Sequence, residues 1–259
     1  MEVVICASAE EIGQHVADVY EAVLRGPAPV LGLATGSSPL AAYQEMIRRH
    51  REHGLSFAHA TAFLLDEYVG LPASHPESYA AVIRRELTEH VDLYPAQVHS
   101  PHGEASDLAA ECSRYDAAIA ASGGIDVQLL GIGTDGHIGF NEPMSSLASR
   151  TRPKTLTEQT RQDNARFFAS VDEVPTHVLT QGLGTIREAR HLVLVATGEG
   201  KADAIAAAVE GPLSARCPAS ILQWHPHATV FVDDAAASRL DFADYYRHTF
   251  ARKPAWQGF

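Results

Sequence analysis

Short apolar runs alternate along this chain with stretches of helical periodicity, and that alternation limits it to a mostly parallel sheet with helices on its faces. Val3–Ala7, Val30–Ala34, Thr61–Leu65, Ile125–Gly131, His191–Ala196, Ser220–Trp224 and Thr229–Val232 read as strands. Ser8 with Glu11 three positions on forms a capping box for a helix to about Leu24. Further helices are expected over Pro39–Arg49, Ser78–Val91, Ala105–Ser122, Lys201–Glu210 and near Ala236–Tyr246. With 259 residues, and no repeat or clear linker, the chain reads as one α/β domain over 1–259. Residues from about Ser145 to Pro175 are unusually polar for a compact domain, as active-site lids often are.

Bulk properties exclude several classes. The formal net charge is −12 and no basic stripe is visible, so a nucleic-acid partner is not expected. Cys6, Cys112 and Cys217 are scattered without ligand spacing, which argues against a disulfide framework or a zinc site and fits a reducing cytoplasm. The segment Met1–Cys6 lacks the basic and long apolar regions of a signal peptide. No apolar run approaches the ~20 residues of a membrane helix, so no membrane partner is expected.

The acid–base chemistry concentrates in Gly131-Ile132-Gly133-Thr134-Asp135-Gly136-His137-Ile138-Gly139-Phe140-Asn141-Glu142-Pro143. Asp135, His137 and Glu142 leave the carboxyl end of the Ile125–Leu130 run, where open α/β sheets place their ligands. The bland alternative is a Gly-rich turn with solvated polar groups.

Four other segments carry chemistry. Thr35-Gly36-Ser37-Ser38-Pro39 ends the second strand and opens a helix, so free N–H groups and hydroxyls form a phosphate cradle or, more plainly, a helix cap. It is neither a Walker sequence nor a dinucleotide fingerprint, which disfavours ATP and NAD. Asp66-Glu67 ends the third strand; one of the pair, with Asp66 preferred, suits a general base, and the alternative is a solvated acidic loop. Arg166, beside Phe167 and Phe168, and Lys201, after Gly198-Glu199-Gly200, are candidate anion contacts or ordinary surface cations. Trp224-His225-Pro226-His227 does not make a metal pair, because Pro226 breaks the element between the imidazoles.

Together these segments resemble the glucosamine-6-phosphate deaminase family, from about Ile5 to Leu240. The marks are Ala34–Pro39, Leu65–Pro72, His75–Tyr79, Asp135–Pro143, Ser149–Arg152 and Ala207–Gly211. The resemblance implies a modified Rossmann-like, three-layer fold, and conversion of glucosamine 6-phosphate and water to fructose 6-phosphate and ammonia without metal or organic cofactor. It implies that His137, supported by Asp135 and Glu142, opens the sugar ring, and that Asp66 moves the proton from C2 to C1. Thr35, Gly36, Ser37, Ser38, Arg166 and Lys201 match the family's 6-phosphate contacts, although many members have a glycine and a threonine where Ser37-Ser38 stands. Some members are hexamers activated by N-acetylglucosamine 6-phosphate through positions matching Ser145, Arg152 and Lys154, so the resemblance extends to an activator and a homo-oligomer. The activator site of those members also uses a C-terminal tyrosine; here Asp244-Tyr245-Tyr246-Arg247 aligns only loosely and the tail Ala251–Phe259 diverges.

Two other readings fit the same fold. A 6-phosphogluconolactonase-like hydrolase also has an Asp-Gly-His turn, but lacks Phe-Asn-Glu-Pro after it and usually has arginine where Tyr68 stands. A non-catalytic sugar-phosphate sensor would not need Asp66 and His137 together, and would usually carry a DNA-binding segment.

Overall fold

A computed structural model describes residues 1–254 and 256–259; Ala255, in the divergent tail, lies outside the described residues. In chain order the elements are β1 (Glu2–Cys6), α1 (Ala9–Leu24), β2 (Val30–Leu33), α2 (Leu40–His53), β3 (Thr61–Leu64), β4 (Asp66–Tyr68), α3 (Tyr79–Glu86), β5 (Val98–His99), α4 (Leu108–Ala121), β6 (Val127–Leu130), β7 (Arg152–Thr155), α5 (Glu158–Asn164), β8 (His177–Thr180), α6 (Leu183–Arg187), β9 (His191–Ala196), α7 (Ala202–Val209), β10 (Ala228–Asp233) and α8 (Ala243–Ala251). Seven strands form one sheet in the order β1-β10-β9-β6-β2-β3-β5. Every neighbouring pair in it is parallel. Each residue of β2, β6 and β9 is buried, as a parallel sheet covered on both faces requires. This is the α/β Rossmann-like architecture expected from the periodicity and the resemblance.

The strand order places the site. From β2 the chain runs outward through β3 to β5, then returns to β6 beside β2 and continues through β9 and β10 on the other side. β2 and β6 therefore flank a topological switch point, where the loops beyond their carboxyl ends diverge and leave a crevice. Those loops are Ala34–Pro39 and Gly131–Pro143.

A second, antiparallel sheet, β4-β8-β7, stands beside the first. Periodicity does not reveal it, because its strands are short and two of the three are polar: Asp66-Glu67-Tyr68 and Arg152-Pro153-Lys154-Thr155 have no alternating apolar face. Its stability comes from a small separate core of Tyr68, Phe140, Leu156, Val174 and Val178. The polar stretch from Ser145 to Pro175 contains β7 and α5 and is pinned by Arg161, which donates to the Val171 carbonyl at 2.8 Å.

Two expected elements are corrected. Ser220–Trp224 is not a strand but part of a 3₁₀ helix, Pro218–Trp224, opened by the proline and burying the adjacent Ile221 and Leu222 together. The closing helix does not span Ala236–Tyr246. Asp233 Oδ1 captures the Ala236 N–H at 2.7 Å, and Glu210 captures those of Asp241 and Phe242, so the chain turns there and α8 begins at Ala243.

Candidate active site

A cavity of about 500 Å³ opens at the carboxyl edge of the parallel sheet. Thr35, Gly36, Ser37 and Ser38 line it from the loop after β2, Asp66 from the start of β4 just past β3, His137 from the loop after β6, Lys201 from the turn after β9, and Arg166 from the turn after α5. Residues scattered over the chain thus meet because each follows a strand, or an adjoining turn, at one edge.

The loop after β2 is shaped as an anion cradle. Gly36 adopts φ of +101°, a conformation that favours glycine, and so turns the chain sharply. The N–H groups of Thr35, Gly36, Ser37 and Ser38 donate to no described residue. The first turn of α2 has no side-chain cap. Free N–H groups at a helix start attract an anion. Arg166 and Lys201 add two cations to the same cavity. The Arg166 guanidinium also lies 4.7 Å from the centre of the Phe167 ring, so packing on the aromatic and facing the cavity are both realised. Burial lowers the Lys201 pKa, Asp163 opposes that shift, and Arg166 adds to it.

Asp66 and Glu67 are both buried, which rules out a solvated acidic loop, and they divide their work. Glu67 accepts from the backbone N–H groups of Tyr68 (2.9 Å), Tyr79 (2.9 Å) and Ala80 (3.0 Å). It anchors the start of α3, where a carboxylate meets the positive end of the helix dipole. Asp66 has no hydrogen-bond donor among the described residues. Burial pushes its pKa well above the usual carboxylate range, and the Glu67 charge adds to the rise. An unpartnered, desolvated carboxyl facing a cavity is suited to proton transfer.

The turn after β6 holds the imidazole. His137 Nδ1 lies 2.7 Å from Asp135 Oδ1 and 3.7 Å from Glu142 Oε2. The ring lies so close to the Gly133 backbone that a Cβ there would stand 2.2 Å from Cε1, so only glycine admits it. Burial would raise the Asp135 pKa, but hydrogen bonding and charge from His137, and a hydrogen bond from Glu142, hold it far below the carboxylate range. Burial raises that of Glu142, against a hydrogen bond from Thr160. Thr160 Oγ1 donates to Glu142 Oε1 at 2.7 Å, tying α5 to the group behind the imidazole. The ligand atoms of Asp135, His137 and Glu142 lie within 4.8 Å of one another, a spacing that would admit a cation; His137 Nδ1 is hydrogen-bonded to Asp135, and Glu142 Oε2 is buried beside them without a hydrogen-bond partner.

Asp66 and the His137 turn face each other across one shared wall. Asp66 pairs with Thr180 across β4 and β8, and Thr180 Oγ1 accepts from the Phe140 N–H at 3.0 Å. A Cβ on Gly139 would stand 3.8 Å from Asp66 Oδ2. Three residues that sequence reasoning left without a role, Tyr79, Thr160 and Asn164, also line the cavity. Asn164 donates to the Tyr68 hydroxyl at 3.0 Å. Their signal was masked: Tyr79 read as the start of an amphipathic helix, and the other two lay in a stretch without periodicity.

Ser145, Arg152 and Lys154 do not line this cavity. Arg152 donates to Asn141 Oδ1 at 2.8 Å, beside Glu142, and Lys154 stands two positions along β7, on the same side as Arg152. The Ser145 Oγ is buried without a partner.

Comparisons with known proteins agree with this geometry. The family model for glucosamine-6-phosphate isomerases/6-phosphogluconolactonase matches residues 6–231. A glucosamine-6-phosphate deaminase of Rhodococcus opacus is 67% identical over 259 residues, covering 100% of both chains. A solved structure of a monomeric glucosamine-6-phosphate deaminase is 44% identical with a TM-score of 0.90, covering 92% of this chain and 100% of that one. A 6-phosphogluconolactonase from Thermotoga maritima shares the fold, with a TM-score of 0.70 over 90% of this chain and 99% of that one, at 15% identity. With relatives this similar over the full length and the family's motifs gathered around one cavity, the chain belongs to the glucosamine-6-phosphate deaminase family.

Proposed function

We propose that this protein converts glucosamine 6-phosphate and water to fructose 6-phosphate and ammonia. The observation that carries the reading is the single cavity in which an anion cradle, an unpartnered buried Asp66 and a carboxylate-backed His137 converge. The 6-phosphate docks on the N–H groups of Thr35–Ser38, with Arg166 and Lys201 as counter-charges, and holds C1 and C2 between the two acid–base groups. His137 takes the proton from the O1 hydroxyl and returns one to the ring oxygen, opening the pyranose; Asp135 and Glu142 stabilise the imidazolium in between. Asp66 removes the proton at C2 while the C2 ammonium passes one of its protons to O1, giving a neutral enolamine; Asp66 then delivers its proton to C1, leaving an iminium at C2. Water adds at C2, and ammonia departs. The substrate's ammonium at C2 brings a positive charge toward Asp66, which favours the carboxylate needed for the proton transfer.

The test is incubation of the purified protein with glucosamine 6-phosphate, following ammonia and ketose. Equimolar fructose 6-phosphate and ammonia are expected. Hydrolysis of 6-phosphogluconolactone without ammonia production would assign the protein to the lactonase chemistry instead. Unreactive tight binding would leave a sensor. Arg166→Ala and Lys201→Ala each should raise KM about 10-fold or more, since a charge-assisted contact to phosphate contributes roughly 1.5–3 kcal/mol. Unchanged KM in both would remove them from the phosphate site.

The Ser145–Pro175 stretch is proposed as the lid over this cavity, because it carries Arg166 into the cavity and Thr160 onto Glu142. Closure would shield that stretch, so a bound substrate analogue should slow its cleavage by protease; an unchanged cleavage rate would count against a lid. The activator reading for Ser145, Arg152 and Lys154 is supported by the shared face of β7 and the unpartnered Ser145 hydroxyl. Added N-acetylglucosamine 6-phosphate should then lower the half-saturating substrate concentration; no change would withdraw it. The homo-oligomer is proposed from the same resemblance, and the cytoplasmic location from the scattered cysteines Cys6, Cys112 and Cys217. No helix among the described residues is long and apolar enough to cross a membrane.

A further inference from the structure

We propose that the loop Ser214–Ser220 positions the catalytic relay, and that Cys217 is its principal contact. The inference rests on the reading of Asp135, His137 and Glu142 as that relay. The relay depends on two points of one loop, the Asp135-Gly136-His137 turn and Glu142. The Ser214–Ser220 loop grips the backbone at the first and at Met144, two residues past the second.

At the first point the Ala219 N–H donates to the Gly136 carbonyl at 2.9 Å. Cys217 Sγ occupies the room that a side chain on Gly136 would need, since a Cβ there would stand 2.6 Å from the sulfur. Gly136 also has φ of +86°, so neither its backbone nor its surroundings tolerate another residue. Past the second point the Met144 N–H donates to the Ala215 carbonyl at 2.7 Å. Met144 is the sole non-glycine residue with positive φ among the described residues, at 69°, and its side chain is 77% exposed. Such a backbone is strained, and the bond to Ala215 holds it together with the turn bond from the Ser145 N–H to the Glu142 carbonyl at 3.0 Å.

The loop is itself braced. Ser220 Oγ accepts from the Ser214 N–H at 2.9 Å and donates to the Ser214 carbonyl at 3.0 Å. The Cys217 N–H donates to the same carbonyl at 3.1 Å. No residue of the loop lines the cavity, so it acts through the relay and not on the substrate. The Cys217 thiol is buried, and burial raises its pKa, so it meets Gly136 as a neutral, space-filling group. A larger side chain at 217 must push the Gly136 turn outward, and with it the Asp135–His137 pair. The phosphate cradle, built on other strands, stays where it is.

The experiment compares Cys217→Val, Cys217→Ser and Ser220→Ala with wild type and with His137→Ala. Each is measured for thermal unfolding, kcat, KM and the pH profile of kcat with glucosamine 6-phosphate. A displacement near 1 Å in a catalytic group lowers the rate by about 100-fold. The expected result is a fall in kcat of about 10–100-fold in Cys217→Val, with KM near wild type and a shifted pH profile. Cys217→Ser, close in size, should retain most of kcat. Ser220→Ala, which unbraces the loop without touching Gly136, should lower kcat in the same KM-neutral way and covers the case in which Cys217→Val does not fold. Wild-type kcat and pH profile in both Cys217→Val and Ser220→Ala, beside an inactive His137→Ala, would overturn the positioning role alone. Activity in His137→Ala would instead overturn the relay on which it rests.

Discussion

Asp66→Asn should bind glucosamine 6-phosphate with little change in KM and release ammonia about 100- to 10,000-fold more slowly than wild type, the usual contribution of a positioned general base. The amide keeps the shape and polarity of the side chain but cannot accept the C2 proton. The same variant should be more stable at neutral pH. The Asp66 carboxyl is buried without a donor, and its pKa in the folded protein lies well above the usual range. Its favourable contribution is therefore full below the ordinary carboxylate pKa and is lost as pH rises through the raised folded value. At neutral pH the wild-type side chain bears that cost and asparagine does not. The expected sign is a higher Tm for the variant than for wild type at neutral pH. Calorimetry at neutral and at acidic pH checks the sign: the gain should shrink as pH falls. A variant that is less stable at neutral pH and fully active would show that Asp66 is a structural acid.

His137→Ala should lose a similar factor, about 100- to 10,000-fold in kcat, through the ring-opening step. Truncation leaves a space the size of the lost ring against Gly133, with Asp135 Oδ1 still in place to orient a replacement. Added imidazole should therefore restore part of the rate in a concentration-dependent way. The wild-type enzyme should not respond. Near-normal turnover in His137→Ala, or equal imidazole response in both proteins, would remove the ring from the mechanism. In the proposed mechanism Asp66 and His137 act on different bonds of the same sugar, so their losses should have separate signatures. Solvent deuterium at C1 reports the Asp66 step, and imidazole rescue reports the His137 step.

The parallel sheet was legible in the sequence because its strands are buried on both faces and read as continuous apolar runs, as in Val127–Leu130 and His191–Ala196. The Thr35–Ser38, Asp66 and His137 segments were legible for a related reason. Each follows such a run directly, and open α/β sheets gather those positions at one edge. The β4-β8-β7 sheet was hidden, since Asp66-Glu67-Tyr68 carries adjacent carboxylates whose burial depends on partners far along the chain. Glu67 is the plainest case. Its neighbours show two acids, and only the folded chain shows that Tyr79 and Ala80, a dozen residues on, supply the N–H groups that claim one of them. The 3₁₀ helix at Pro218–Trp224 was misread as a strand because a short apolar run does not distinguish the two. Thr160 and Asn164 were missed because nothing in their local spacing marks α5 as a wall of the cavity.

The most direct test of the convergence of these loops is a crystal structure with the reduced, open-chain form of glucosamine 6-phosphate, which cannot react because it has no carbonyl at C1. The expected density places the phosphate on the N–H groups of Thr35–Ser38, C2 within reach of the Asp66 carboxylate, and the C5 hydroxyl, formerly the ring oxygen, beside the His137 imidazole. Phosphate density seated away from Gly36, or a sugar chain that meets Asp66 or His137 but not both, would contradict it.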